Sequence, residues 1–420
     1  MKRVLGLLLL TCAATVFADE VADSRRIYRE AAAAYKAKDF ATFLEKSRAA
    51  ADLRPKHSGL LYTFAAALAL NGRSEEALDV LERVAAMGML YDPAKDDDFA
   101  TLRNTPRLAS ISETFARNAK PKGRVTRVFT VEERGIISEG IAYDARRRRF
   151  FVSSVRNGVI YARDPTGHVS PFARDSHFGI FGMAADVARR RLWAAASAYP
   201  ASTNFQESNR DRAAVLEIDL DSGKILSTLT PADQGKHLFG DVVVARDGSV
   251  FVSDSVSPSI YRVRGGAMEP FIAAGPFASL QGLALSADGR ILYASDYSRG
   301  IYAIDLATRD AALLPTPPEV TLLGIDGLYT AGKGLVGTQN GTSPQRVVRI
   351  VLVPGGLAVA KIDVLASNEP DFDDITLGVV AGNAFCFNAA GQWALFGDDG
   401  KQPDAAKLKA ALVLRVALEE

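Results

Sequence analysis

Six residues stand at equivalent positions in a phrase that recurs along the second part of this 420-residue chain: Glu139, Phe181, Gly240, Gln281, Asp326 and Leu377. If the copies are arranged around one axis, two carboxylates and one amide oxygen converge at one end of it. Hard cations such as Ca²⁺ take oxygen sets of this kind, completed by water. Asp241, beside Gly240, adds a carboxylate that could reach such an ion directly or through water, or bind lower in the channel. Ca²⁺ is the first expectation, with Zn²⁺ or Mn²⁺ as alternatives. The plainer reading of Glu139 and Asp326 is that carboxylates at strand starts cap loop N–H groups or line a solvated pore. His177 and His237 precede two copies of the phrase and fall near the same end, where a histidine could act as general base. A solvent-facing loop position is the other reading, and His57 and His168 carry no signal.

The elements that position these residues follow from the phrase. It reads "SEGIAYDARRRRFFVSS" from Ser138, "FGMAADVARRRLWAAAS" from Phe181 and "FGDVVVARDGSVFVSDS" from Phe239. It returns as "LQGLALSADGRILYASD" from Leu280, "IDGLYTAGKGLVGTQN" from Ile325 and, more weakly, "TLGVVAGNAFCFNAAGQW" from Thr376. Each copy is an apolar strand, a polar turn and a second strand. Aligned on Gly140, Gly182, Asp241, Gly282, Gly327 and Gly378, the steps are 42, 59, 41, 45 and 51 residues. Periods of this size mark propeller blades, and the long step holds the polar stretch Tyr199 to Arg212. Six copies predict a mainly β fold, a six-bladed propeller over 121–420. A seventh phrase is not found. Arg124–Glu133 precedes the first copy and Ala410–Leu418 follows the last, so an N-terminal strand is expected to complete the last blade. Trp193, Phe251, Tyr293 and Tyr302 read as core, and the arginine runs 146–149 and 189–191 as solvated hairpin turns.

Residues 19–120 read differently: apolar residues three and four apart predict helices. At a shift of 33, Ala32, Tyr35, Asp39, Leu44 and Ala51 fall opposite Ala65, Leu68, Gly72, Ala77 and Val84. This self-similarity resembles tetratricopeptide repeats, and a further helix capped by Asp98 is expected to seal the stack. Such a stack offers a protein-docking groove or serves as a structural cap. Residues 1–18 read as a secretory leader: Lys2 and Arg3, an apolar run from Val4 to Phe17, and small residues Val16 and Ala18 before the cut. Export to the periplasm or medium is expected, with lipid attachment at Cys12 as the alternative. After cleavage Cys386 is the remaining cysteine, a small apolar core residue. A net charge of +1, from 50 basic and 49 acidic residues, argues against a nucleic-acid partner. No stretch suits a membrane span.

The phrases "EGIAYD", "GDVVVARDGSVFVSD", "LQGLALSADGRILYASD" and "DGLY" resemble the blade motifs of the senescence-marker-protein/gluconolactonase (regucalcin-like) family over 121–420. That resemblance implies a divalent cation in the channel and hydrolysis of sugar lactones or related esters. By position it makes Glu139 and Asp326 metal ligands, puts Gln281 where an asparagine ligand is usual, and leaves Gly240 without a donor. In the hydrolysis it implies, Asp326 is the candidate base, His177 a second catalytic candidate, and Glu139, Asp241 and Gln281 hold the metal with it. Two functions are compatible with these residues. One is a metal-dependent hydrolase of lactones or small esters. The other is a non-catalytic propeller that binds a small molecule or a protein, with the helical repeats as docking surface.

Overall fold

The computed structural model describes residues 19–273, 275–397 and 403–418, so the leader and Cys12 lie outside the described residues. Helices come first: α1 (Glu20–Lys36), α2 (Phe40–Leu53), α3 (Ser58–Leu70), α4 (Ser74–Ala86) and α5 (Pro106–Asn118). Short loops make α1/α2 and α3/α4 neighbouring hairpins. Ala65, Leu68, Leu81, Val84, Phe99 and Phe115 form their common core. The expected cap at Asp98 is displaced. Residues Asp97–Leu102 form a 3₁₀ turn capped by Asp96, and α5 starts instead at Pro106, where the Thr105 hydroxyl accepts from Leu108 N at 3.3 Å. Proline at the first helical position lacks an N–H that would otherwise go unpaired, which favours the later start. Asp98 accepts a hydrogen bond from the Tyr35 hydroxyl at 2.8 Å.

From Val125 onward the chain forms six four-stranded antiparallel sheets. Their innermost strands are Ser138–Asp144, Gly179–Asp186, Phe239–Val244, Leu280–Leu285, Ile325–Ala331 and Gly378–Ala381. Blades one to five are each built from four strands consecutive in sequence, so this is a six-bladed propeller. The sixth is composite: strand Val125–Arg134 pairs with Ala410–Ala417, with Val125 opposite Val416 and Thr130 opposite Leu412. The strand that opens the propeller and the strand that ends it thereby share one blade and close the ring, with Val125–Arg134 as that blade's outer strand. The long step from Tyr199 to Arg212 runs between the second and third strands of blade two. Trp193, Phe251, Tyr293 and Tyr302 are buried, as is the free Cys386. Arg190 departs from the solvated reading. It pairs with the fully buried Asp144 of blade one at 2.8 Å and with Asp221, and so ties two blades together.

The helices sit against the propeller. Leu90 N donates to Ser343 O at 2.7 Å, Arg54 to Ser298 O at 2.8 Å, and the buried Arg346 to Met87 O at 2.9 Å. No helix among the described residues is long and apolar enough to cross a membrane.

Candidate functional site at the channel mouth

The repeated phrase places its residues by a shared irregularity. In blades one to five the pairing of the two innermost strands slips, between Ser138 and Ile141, Ile180 and Met183, Phe239 and Val242, Leu280 and Leu283, and Ile325 and Leu328. Each slip releases a dipeptide from the ladder: Glu139-Gly140, Phe181-Gly182, Gly240-Asp241, Gln281-Gly282 and Asp326-Gly327. A bulge of this kind re-aims a side chain. Second-strand hydroxyls take the freed N–H groups: Gly140 N donates to Ser153 Oγ at 2.7 Å, Asp241 N to Ser253 Oγ at 3.1 Å and Gly327 N to Thr338 Oγ1 at 2.9 Å. The glycines lie against the next blade, since a Cβ at Gly140 would stand 2.3 Å from Phe181 O and one at Gly282 2.5 Å from Asp326 O.

Glu139 and Asp326 are each 8% exposed and face one another's field. Glu139 Oε2 accepts from the Trp393 indole at 2.8 Å, and its carbonyl accepts from Asn388 Nδ2 at 2.6 Å, a bond between blades six and one. Burial and the nearby Asp326 raise the Glu139 carboxyl well above the ordinary range, with the indole acting against them. Asp326 Oδ2 accepts from Asn340 Nδ2 at 2.8 Å. Burial, opposed by that amide and aided by Asp374, pushes Asp326 up to about 7. Asp374 is itself raised by burial, although Trp393 N donates to its Oδ2 at 2.8 Å.

Asp241, 2% exposed, is committed to the frame: its Oδ2 accepts from Leu283 N of blade four at 3.1 Å, and its Oδ1 lies against Gly182. Burial pushes it up to about 7. Gln281 leans toward the vacant side of Gly240, where a Cβ would stand 3.8 Å from its Oε1. Among the described residues no three Asp, Glu, His or Cys side chains gather around one ion. A cation at this mouth would therefore rest on the free oxygens of Glu139 and Asp326 and on amide oxygen. The donor chemistry fits, because these acids are shifted upward by burial and by neighbouring carboxylates, Asp326 on Glu139 and Asp374 on Asp326, the condition that a bound cation relieves.

Among the described residues neither histidine bonds to Glu139 or Asp326. His177 is exposed in a turn capped by Asp175, which accepts from His177 N at 2.7 Å. His237 is buried between two carboxylates, Nδ1 at 2.6 Å from Asp254 and Nε2 at 2.9 Å from Asp233.

Other groups that complete the mouth escaped the sequence reading. Asn340 entered only as part of an Asn-Gly-Thr tripeptide, and Asp374 and Trp393 lie outside the aligned positions. Tyr297 donates to Asn340 Oδ1 at 3.0 Å, and the Tyr329 hydroxyl accepts from Gly378 N at 2.8 Å. Phe181, Tyr199 and Trp393 form an aromatic cluster beside Glu139, with centroids 5.3 to 6.3 Å apart. Tyr199 belongs to the long polar insertion, whose composition alone points to a loop.

Neither a family profile nor a curated protein matches the sequence. Solved structures do resemble the fold. A gluconolactonase from Xanthomonas campestris is 16% identical, with 70% of this chain and 90% of that one covered and a TM-score of 0.49. A luciferin-regenerating enzyme is 16% identical over 71% and 95%, with a TM-score of 0.49. A calcium-binding regucalcin from Agrobacterium tumefaciens is 15% identical over 70% and 96%, with a TM-score of 0.48. At this identity the matches concern blade architecture alone.

Proposed function

We propose that this protein is a divalent-cation-dependent hydrolase of lactones or small esters, working after export, with residues 1–18 as leader, 19–120 as helical segment and 121–420 as propeller. The observation that carries the reading is the pair Glu139 and Asp326: two buried carboxylates at one mouth, each with one oxygen fixed by a neutral donor and the other without a partner among the described residues. Ca²⁺ is the ion the oxygen donors suit best, with Zn²⁺ or Mn²⁺ as alternatives. When bound, the cation supplies polarisation of the ester carbonyl and acidifies water.

The remaining steps belong to the chain's own residues. Asp326, oriented by Asn340, takes the proton of the attacking water as its oxygen bonds to the carbonyl carbon. The ring C–O bond then breaks and Asp326 returns the proton to the departing alkoxide, giving a hydroxy acid. Trp393 holds Glu139 in place, and its ring packs with Phe181 and Tyr199 into an apolar wall that limits water. His177, exposed and without a side-chain partner among the described residues, is the weaker candidate for the base.

Calorimetric titration of Ca²⁺ into metal-stripped protein, alongside a lactone hydrolysis assay, tests the reading. Glu139→Gln is expected to lose cation binding and turnover together; retention of both would overturn it. A second reading, a non-catalytic propeller that binds a ligand or a protein through the helical segment, is favoured by one observation. Gly240 brings no donor to the ring, so blade three leaves the cation's coordination incomplete. Absence of cation binding in the unaltered protein would select that reading.

A further inference from the structure

A cavity of about 380 Å³ lies between the helices and the propeller, on the same mouth as the acids. Its propeller wall is made of rim residues that flank the second strands and the start of the inner strand of blade five: Tyr297, Ser298, Leu323, Gly324 and Thr342. The helical wall brings Arg25, Tyr28, Arg54, Lys56, His57 and Ser58. The chemistry is one-sided. Arg25, Arg54 and Lys56 all face this space, and among the described residues none of them makes an ion pair. Arg54 spends one donor on Ser298 O, and Lys56 one on Pro317 O. The acids that close this side are engaged elsewhere: Asp19 and Glu20 lie 3.5 Å from Arg299, and Asp296 accepts from four backbone N–H groups.

Two further features suit an anion. The first turn of α3 opens on the cavity, where Ser58 and Gly59 carry N–H groups without a helical acceptor. His57 Nδ1 accepts from Leu60 N at 3.3 Å, so its other nitrogen is left as a neutral donor. Burial and the charge of Arg54 push His57 down to about 4, and burial with the neighbouring Arg25 lowers Arg54. Positive charge is thus crowded here: Asp296 and Glu20 act on Arg54 and Glu319 on Lys56 from a distance, but among the described residues none of them pairs with it directly.

We propose that this cavity binds a small hydroxylated carboxylate, its carboxylate on Arg54 and Arg25 and its hydroxyl-bearing carbons between Tyr28 and Tyr297. A guanidinium fork matches a carboxylate in two-point contact, and the cavity's size is that of a metabolite site. Thr321, Thr342 and Ser58 line the same space. Tyr297 donates to Asn340, which donates to Asp326, so the cavity is two side chains from the candidate base. Ring opening of a lactone yields this class of molecule; that link rests on the hydrolase reading, whereas the anion site does not.

The test is calorimetric titration of D-gluconate into the full chain, with inorganic phosphate and glucose as comparison probes. Gluconate is expected to bind, with affinity falling tenfold or more in Arg54→Gln and severalfold in Arg25→Ala. Arg25 is exposed and makes no side-chain bond among the described residues, so its variant keeps the test valid if Arg54→Gln disturbs the seam. Absence of binding, equal affinity for phosphate or glucose, or loss in Glu139→Gln with retention in both arginine variants would overturn the proposal. Arginine-dependent gluconate binding without lactone turnover would remove the hydrolase reading and leave the anion site standing.

Discussion

Asp241 occupies the glycine position of its phrase, and its carboxylate fills space that a hydrogen occupies in blades one, two, four and five. Its Oδ2 takes the place of a backbone acceptor for Leu283 N. The cost is electrostatic, since burial raises the folded pKa to about 7 from an unfolded value near 3.9. A group raised in this way contributes stability below its unfolded pKa and loses it as pH rises through the folded one. Asp241→Asn keeps an acceptor for Leu283 and removes the titration. The variant is expected to match the parent protein near pH 4 and to exceed it at pH 8 by about 4 kcal/mol, read by urea denaturation of metal-free protein. An equal pH dependence in the two proteins would show that the carboxylate is not buried as described.

At the scale of the element, the wedge between blades depends on glycine. A Cβ at Gly182 would stand 2.3 Å from Asp241 Oδ1 and 2.7 Å from Gly240 O, and neither blade can retreat without opening the channel wall. Gly182→Ala is therefore expected to lose about 3 kcal/mol by overpacking, with an unchanged denaturant slope. Gly72 has a different role. Its φ of +72° ends α3, and no atom lies near its missing side chain, so backbone conformation alone selects glycine there.

Taken whole, the molecule is held at the seam between helices and propeller by Arg346. This side chain, 1% exposed, donates to Met87 O and to Gln339 Oε1, and Gln339 in turn donates to Leu323 O at 2.7 Å on the mouth's rim. Arg346→Ala would strand two buried acceptors. A stability loss of about 3 kcal/mol is expected, together with faster limited proteolysis at residues 119–124, where α5 gives way to the first strand. Unchanged proteolysis would mean that the helices are anchored by other contacts. Because the cavity described above lies on that same seam, Arg346→Ala also probes whether its two walls hold together independently.

Much of the architecture was legible in local pattern. Strands separated by polar turns, repeated at steps near 45 residues, specify a blade without reference to the rest of the chain, and the repeat alone assigns Glu139, Gln281 and Asp326 to equivalent angular positions. The closing strand Val125–Arg134 was legible too, because an unpaired edge needs a partner. Tertiary structure decided the rest. Asn340, Asp374, Trp393 and Tyr297 come from loops and strand ends, and what they meet depends on how neighbouring blades pack. Asp241 looked free to serve a cation until blade four claimed one of its oxygens, and Arg190 looked solvated until Asp144 of the adjacent blade met it. The cavity of Arg25, Arg54 and Lys56 forms only where helices meet the rim. Periodicity is a property of consecutive residues, whereas a hydrogen-bond partner or a missing counter-ion is a property of residues brought together from across the chain.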